Sequence, residues 1–317
     1  MLAKLAPRVA ATHRQFPRYE EVSSLQKLTL VVTCTDRKRL PASVDLQVRS
    51  LPGSTLAARA DAWIQRLSAP VEKLPLVELY KGEAWQQVRE LVRTAWRMGY
   101  APELIVASAG LGLRHSESQA GGYAATFAHG HADSVASRDD DARAWWACMQ
   151  AAPDVLPAPS RLLTGRVLVV ASSAYARGIA TTLHQVAETA SIALLVGGMC
   201  DIPGLTRLSP NKALRAPLGG TASSLNLRMA QRWLEMTEGR ELVSNRIRQE
   251  WQRWCASVEQ TESYDRRRST DEQVQEFISE IRAANPRASA SSVLRALRDG
   301  GFACEQSRCR RLFHERR

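Results

Sequence analysis

The chain has 317 residues, 44% hydrophobic and 24% charged, with 43 Lys and Arg against 32 Asp and Glu for a formal net charge of +11. This length suits one large domain with a small appendage, and the composition excludes a disordered or collagen-like chain. The cationic excess points to an anionic partner, most often nucleic acid; the plainer reading is a basic enzyme with a small substrate.

Cys34, Cys148, Cys200, Cys255, Cys304 and Cys309 are scattered, with no Cys-x-x-Cys pair. Neither a zinc ribbon nor a disulfide framework follows, and reduced thiols fit a cytoplasmic protein. Residues 1–8 carry a basic residue but no sustained apolar core, so they make a poor signal peptide. No apolar run is long enough to span a bilayer, and no membrane partner is expected.

Residues 1–26 read as an arm or capping element. From Leu28 an apolar, β-branched run reads as a buried strand that ends abruptly in Cys34, Thr35, Asp36, Arg37, Lys38 and Arg39. After an irregular stretch, Ser54 is placed to cap a helix reaching about Leu67. Residues 75–82 read as extended. Trp85, Val88, Leu91, Val92, Ala95 and Trp96 repeat at helical spacing over 83–98, and Gly99 ends that helix. A second strand from Glu103 ends in the small-residue turn Ser108-Ala-Gly-Leu-Gly112, completing a strand–helix–strand unit. Residues 113–138 form a long polar, Gly-rich connection. A helix near 140–150 carries Trp145 and Trp146, and 153–159 is a linker. A third strand near Val167 ends in Ser172 and Ser173, a helix follows over 179–188, and 191–198 is a fourth strand. Residues 201–220 read as irregular, then two helices cover about 225–238 and 241–258. The expected fold is α/β: an open parallel sheet of about four strands with helices on both faces, spanning 1–260.

Residues 270–317 differ. Thr270 and Ser289 are placed to cap two short helices, Gly300-Gly301 makes a turn, and a third helix carries Arg308, Arg310 and Arg311. From Pro286 onward there are 8 arginines against 3 acids. Three short helices ending in a basic one fit a helix-turn-helix-like DNA-binding module; a helical cap with a solvated arginine face is the alternative.

If the strands are parallel neighbours, Asp36, Ser108, Gly110, Ser172 and Ser173 converge on one rim, where open α/β sheets bind ligands. Asp36 is then a carboxylate suited to positive charge developing on a sugar, or else an ordinary loop residue. The glycine- and serine-rich turns, with Arg177, and the segment 219–226, with Ser223, Ser224 and Arg228, are anion-site candidates or simple caps. Tyr123 and Phe127 either stack on a base or anchor their own loop. His129, His131 and Asp133 are weak metal evidence, and no cofactor is expected. Cys34 is either a nucleophile or a small buried residue.

Four segments together, Val-Val-Thr-Cys-Thr-Asp-Arg-Lys-Arg39, Glu78-Leu-Tyr-Lys-Gly-Glu-Ala-Trp85, Ile105-Val-Ala-Ser-Ala-Gly-Leu-Gly-Leu113 and Tyr123-Ala-Ala-Thr-Phe127, resemble a known family. They are similar to the uracil-DNA-glycosylase-like domains found beside archaeosine and queuine tRNA transglycosylases. The resemblance is stronger to their relatives in phage defence, the bacteriophage-replication-inhibiting DNA glycosylases. It covers about residues 28–235. It implies a four-stranded parallel sheet, a flipped base and an abasic product in phage DNA bearing glucosylated hydroxymethylcytosine. It also implies Asp36 as catalytic carboxylate, with Ser108, Gly110 and Tyr123 lining the pocket. The His-Pro-Ser and Gly-Gln-Asp-Pro-Tyr signatures of uracil-DNA glycosylases are absent, which argues against uracil. On this reading Cys34, Thr35 and Phe127 complete the base pocket. Arg37, Lys38, Ser172, Ser173, Arg177, Ser223, Ser224, Arg228, Arg308, Arg310 and Arg311 contact double-stranded DNA. A base-exchange transglycosylase and a non-catalytic nucleic-acid-binding regulator are the alternatives.

Overall fold

The computed structural model describes residues 25–53, 55–152, 163–239, 241–259, 267–286 and 288–315. The chain divides after Gln260 into two compact units. The strands are β1 (Gln26–Thr33), β2 (Leu74–Pro75), β3 (Tyr100–Ser108), β4 (Gly112–His115), β5 (Gln119–Ala120), β6 (Arg166–Ala171), β7 (Ile192–Gly197), β8 (Thr206–Leu208), β9 (Arg267–Arg268) and β10 (Phe302–Ala303).

The first unit is mixed α/β around a six-stranded sheet of order β4-β3-β1-β6-β7-β8. The expected four parallel strands are there, joined by two the sequence concealed. β4 folds back antiparallel on β3 through the Ser108–Gly112 turn, inside a stretch read as connection. The three-residue β8 pairs parallel with β7, inside a stretch read as irregular. Both edge strands are too short to show a periodic pattern of their own. Residues 76–79 also differ from expectation: they form one helical turn, not extended chain. The helix Leu56–Leu67 is capped by Thr55, whose side chain accepts from the Ala58 N–H; Ser54 and residues 1–24 lie outside the described residues.

Numbered along the chain, the five parallel strands stand in the order 2-1-3-4-5. The connection direction therefore reverses between β1 and β6, and a crevice opens there at the strand ends. Helices flank the sheet in two groups. Leu225–Thr237 packs on Glu83–Arg97, while Asp139–Ala151 packs on both Leu56–Leu67 and Ser173–Gly178. The buried Trp63 and Trp145 indoles donate to the carbonyls of Gly110 (2.8 Å) and Ala109 (2.7 Å), so two helices pin the turn that ends β3.

The second unit holds three helices, Asp271–Ala284, Ala290–Asp299 and Gln306–Glu315, around Val274, Ile278, Val293, Leu294, Leu297, Cys309, Leu312 and Phe313. Thr270 and Ser289 both form capping boxes, as their positions predict. Six residues, 300–305, join the last two helices and include β10, which pairs with β9. That connection is longer than the 3–4-residue turn typical of helix-turn-helix motifs. No helix among the described residues is long and apolar enough to cross a membrane.

Gly197 ends β7 at φ +106, and a Cβ there would lie 2.0 Å from the Ala171 carbonyl oxygen and 2.5 Å from Asn226 Nδ2. Gly197→Ala is expected to cost roughly 3 kcal/mol through strain and overpacking. Urea unfolding of the variant checks this; an unchanged midpoint would contradict the packing at this strand end.

Candidate active site

A cavity of about 550 Å³ occupies the crevice between the ends of β1 and β6. Thr33, Cys34, Thr35, Asp36 and Arg37 form one wall, and Ala171, Ser172 and Tyr175 another. Lys81, Glu83, Trp85, Asn226 and Leu227 complete it. The segment after β1 reaches this position because it pairs with residues 79–81. Arg39 N–H donates to the Leu79 carbonyl (2.8 Å) and Lys81 N–H to the Arg37 carbonyl (3.0 Å). That pairing carries Gly82, at φ +95, and the start of helix Glu83–Arg97 to the rim.

The two carboxylates in the cavity differ in kind. Asp36 is exposed, and no hydrogen bond or ion pair holds its carboxylate among the described residues. Glu83 is fixed: Oε1 accepts from Ser224 Oγ (2.8 Å) and Arg228 Nη2 (2.6 Å), and Oε2 from Thr221 Oγ1 (2.8 Å). Burial disfavours its charge, but these three hydrogen bonds and the Arg228 guanidinium outweigh it and hold Glu83 below the usual carboxylate range. Tyr175 OH lies 3.0 Å from Cys34 Sγ. Burial raises this phenol well above its ordinary range, so it stays protonated. Asn226 Nδ2 donates to the Ala171 carbonyl (3.1 Å). That carbonyl can only accept, so the orientation is fixed, and Asn226 Oδ1 has no donor on it among the described residues.

Of the residues expected at the site, Cys34, Thr35, Asp36, Arg37, Ser172 and Ser223 line the cavity. Ser108, Gly110 and Tyr123 do not. The Ser108 Oγ and Tyr80 OH each lie 2.6 Å from Tyr123 OH, and Gly110 N–H donates to Ser108 Oγ at 3.2 Å. All three are buried, with Tyr123 only 2% exposed. A Cβ on Gly110 would meet the Tyr123 ring at 2.8 Å. The small-residue turn is thus a packing device, with the Gly110 N–H and the Ala109 and Gly110 carbonyls bonded inside the protein.

Phe127 is equally buried, and its ring stands edge-on to Tyr175 at 5.2 Å; it backs a cavity residue and does not reach the cavity. Lys38 turns inward, with Nζ 4.1 Å from the Tyr123 ring centroid and donating to the Thr35 carbonyl at 3.0 Å. Burial lowers its pKa, so it braces the loop and does not face an external phosphate. Ser173 donates to the Gly198 carbonyl (3.3 Å), and Arg177 pairs with Asp139 (3.0 Å). Ser224 and Arg228 are taken by Glu83. His129 faces Asp139, while Asp133 is held by Arg49. Among the described residues no cluster of His, Cys, Asp or Glu is arranged to hold a metal.

Sequence reasoning gave no site role to the side chains of Glu83, Trp85, Lys81 and Tyr175, and reached Asn226 only as the end of the 219–226 anion-site candidate. Glu83 had a signal, since it lies inside the quoted Lys-Gly-Glu-Ala-Trp segment. Asn226 was reached through its segment, but its bond to the Ala171 carbonyl depends on β7 ending beside β6. A larger depression of about 670 Å³ runs along β8, but its arginines are committed, Arg207 to Asp201 (2.6 Å) and Arg248 to Thr206 (2.8 Å). It also lies away from the switch point.

In the second unit, Arg308 Nε donates to Asp271 Oδ1 (2.6 Å) and Arg311 Nη2 to Oδ2 (3.1 Å). Their hydrogen bonds hold Asp271 below its ordinary range. Both arginines expected on DNA therefore tie the third helix to the first. Arg310 is exposed and has no such partner among the described residues.

No family model, curated protein or solved structure matches the chain.

Glu83 has a measurable signature. Its folded-state pKa lies below the ordinary 4.5. Its stabilisation is therefore complete above that value and lost as pH falls through the depressed folded value. Urea midpoints should decline as pH falls below about 4.5 in the wild type. The decline should be shallower in Glu83→Gln; parallel profiles would refute the ionised anchor.

Proposed function

We propose that this protein is a DNA glycosylase that removes a bulky modified base, with glucosylated hydroxymethylcytosine in phage DNA as the best-fitting substrate. One observation carries the reading. At the switch point of a parallel sheet, an unpaired carboxylate, Asp36, opens on a roomy slot walled by Trp85, Tyr175 and Leu227. Ligand clefts generally fall in the range of about 300–1,000 Å³, and this one leaves space for a base with a large substituent. An extruded base slides between the apolar walls, while exposed Arg37 and Lys81 at the mouth meet backbone phosphate. The C1′–N bond breaks with its electron pair departing on the base. The sugar takes on oxocarbenium character, which the Asp36 and Glu83 charges stabilise. Water adds at C1′, its proton passes to Asp36, and an abasic site remains.

The three-helix unit is assigned as the duplex-binding, helix-turn-helix-like part. Gln306, Arg310 and His314 recur at four-residue spacing on its last helix and are exposed. An open cavity with two carboxylates speaks against a degenerate, purely regulatory domain. The Cys34–Tyr175 pair favours a second reading, base exchange through a covalent intermediate; incorporation of a labelled free base would establish it.

Incubation with DNA carrying glucosylated hydroxymethylcytosine, then alkali, should yield strand breaks and a free modified base detectable by mass spectrometry. Asp36→Asn should lower the rate about a hundredfold or more, with the unfolding midpoint unchanged. Intact strands across a panel of modified DNAs would sink the proposal. On duplex binding, Arg310→Ala should reduce the log–log salt slope by about one. Arg308→Ala should instead lower thermal stability, because it breaks the Asp271 tie.

A further inference from the structure

The three-helix unit contains a second cavity, of about 390 Å³, that base excision leaves unused. Its floor is apolar: Phe277, Leu297 and Phe302, with the two phenyl rings 6.4 Å apart and tilted. Both rings are only partly buried, although the unit has a closed core beside them. Glu276 and Glu280 stand over this floor.

Two features point to a guest. First, Glu276 and Glu280 are one helical turn apart, exposed and unpaired among the described residues; like charges at that spacing repel. Second, the unit does not neutralise them despite its many arginines. Arg308 and Arg311 go to Asp271, Arg282 covers the Phe313 ring at 3.8 Å, Arg298 donates to the Cys304 carbonyl at 3.1 Å, and Arg267 lies over the Phe302 ring at 5.2 Å without pairing with either glutamate.

We propose that this cavity docks a basic protein segment. One large apolar side chain would rest on the floor formed by Phe277, Leu297 and Phe302. Flanking Lys or Arg residues would pair with Glu276 and Glu280. Nucleic acid is repelled by the acid pair, and a simple metal ion would leave the phenyl floor uncovered. The inference does not depend on the base-excision reading.

A displayed random-peptide library panned on the full-length protein tests it. Enriched peptides should share an apolar residue flanked by Lys or Arg. Their affinity, read by fluorescence anisotropy, should fall about tenfold for Glu276→Gln/Glu280→Gln and weaken with salt. Those exposed substitutions leave the core intact, which the unfolding midpoint verifies. Phe277→Ala should abolish binding. The assignment is overturned by any of three results: no peptide enriched; enriched peptides lacking positive charge or binding the double variant equally; or self-association of the chain that the double variant removes, which would give the groove to a second copy.

Discussion

The short backbone pairing between residues 37–39 and 79–81 is the constraint on which the site depends. Two hydrogen bonds, Arg39 to Leu79 and Lys81 to Arg37, fasten the loop after β1 to the chain entering helix Glu83–Arg97. Without them the end of β1 would open directly to solvent. With them, the first turn of that helix becomes a wall of the cavity, and Glu83 comes within reach of Thr221, Ser224 and Arg228 from a segment about 140 residues later. Lys38 secures the pairing from inside, bridging the Thr35 carbonyl and the Tyr123 ring. Burying an ammonium is tolerated there because the aromatic face and the carbonyl replace water.

The aromatic residues contribute at a distance. Phe127 holds the Tyr175 ring edge-on, Trp63 and Trp145 hold the turn after β3, and Tyr80, Tyr123 and Ser108 share a chain of short hydroxyl contacts. The tryptophans, tyrosines and Ser108 pair buried polar atoms while filling core volume, and Phe127 adds volume alone, which keeps the strand ends in register. The four segments grouped in the sequence analysis are therefore of two kinds. The Thr-Asp-Arg and Lys-Gly-Glu-Ala-Trp stretches line the cavity. The Ser-Ala-Gly-Leu-Gly and Tyr-Ala-Ala-Thr-Phe stretches frame it from behind.

Sequence reasoning recovered what depends on long, regular patterns. The four buried strands were legible because each is an apolar run with a sharp polar end, and the amphipathic helix 83–97 because its stripe is uninterrupted. β8 was not, since three residues carry no period. Tyr123 and Phe127 read equally as base-stacking residues or as anchors of their own loop because they sit among Gly, His and Asp, and their burial shows them to be anchors. Burial is decided by what the chain packs against, and local polarity says little about it. Asp36 was legible as a rim residue through one inference alone, that polar residues after a buried parallel strand emerge at a ligand crevice.

Net charge was the most misleading of the sequence signals, and the reason is physical. A formal +11 invites every arginine near a glycine or serine to be read as a phosphate ligand. Yet Arg49 closes on Asp133, Arg228 on Glu83, and Arg308 and Arg311 on Asp271. The planar guanidinium that suits it to phosphate suits it equally to a carboxylate inside the fold. What separates the two uses is whether an acid sits within reach in three dimensions. By that criterion, Arg37 and Lys81 at the cavity mouth and Arg310 on the last helix are left to face an external anion, with no acid closing on them among the described residues. A handful of uncommitted cations at a crevice and on one helix is a more specific electrostatic footprint than the overall excess. It is also the footprint expected if the first unit holds a nucleotide and the second holds the duplex.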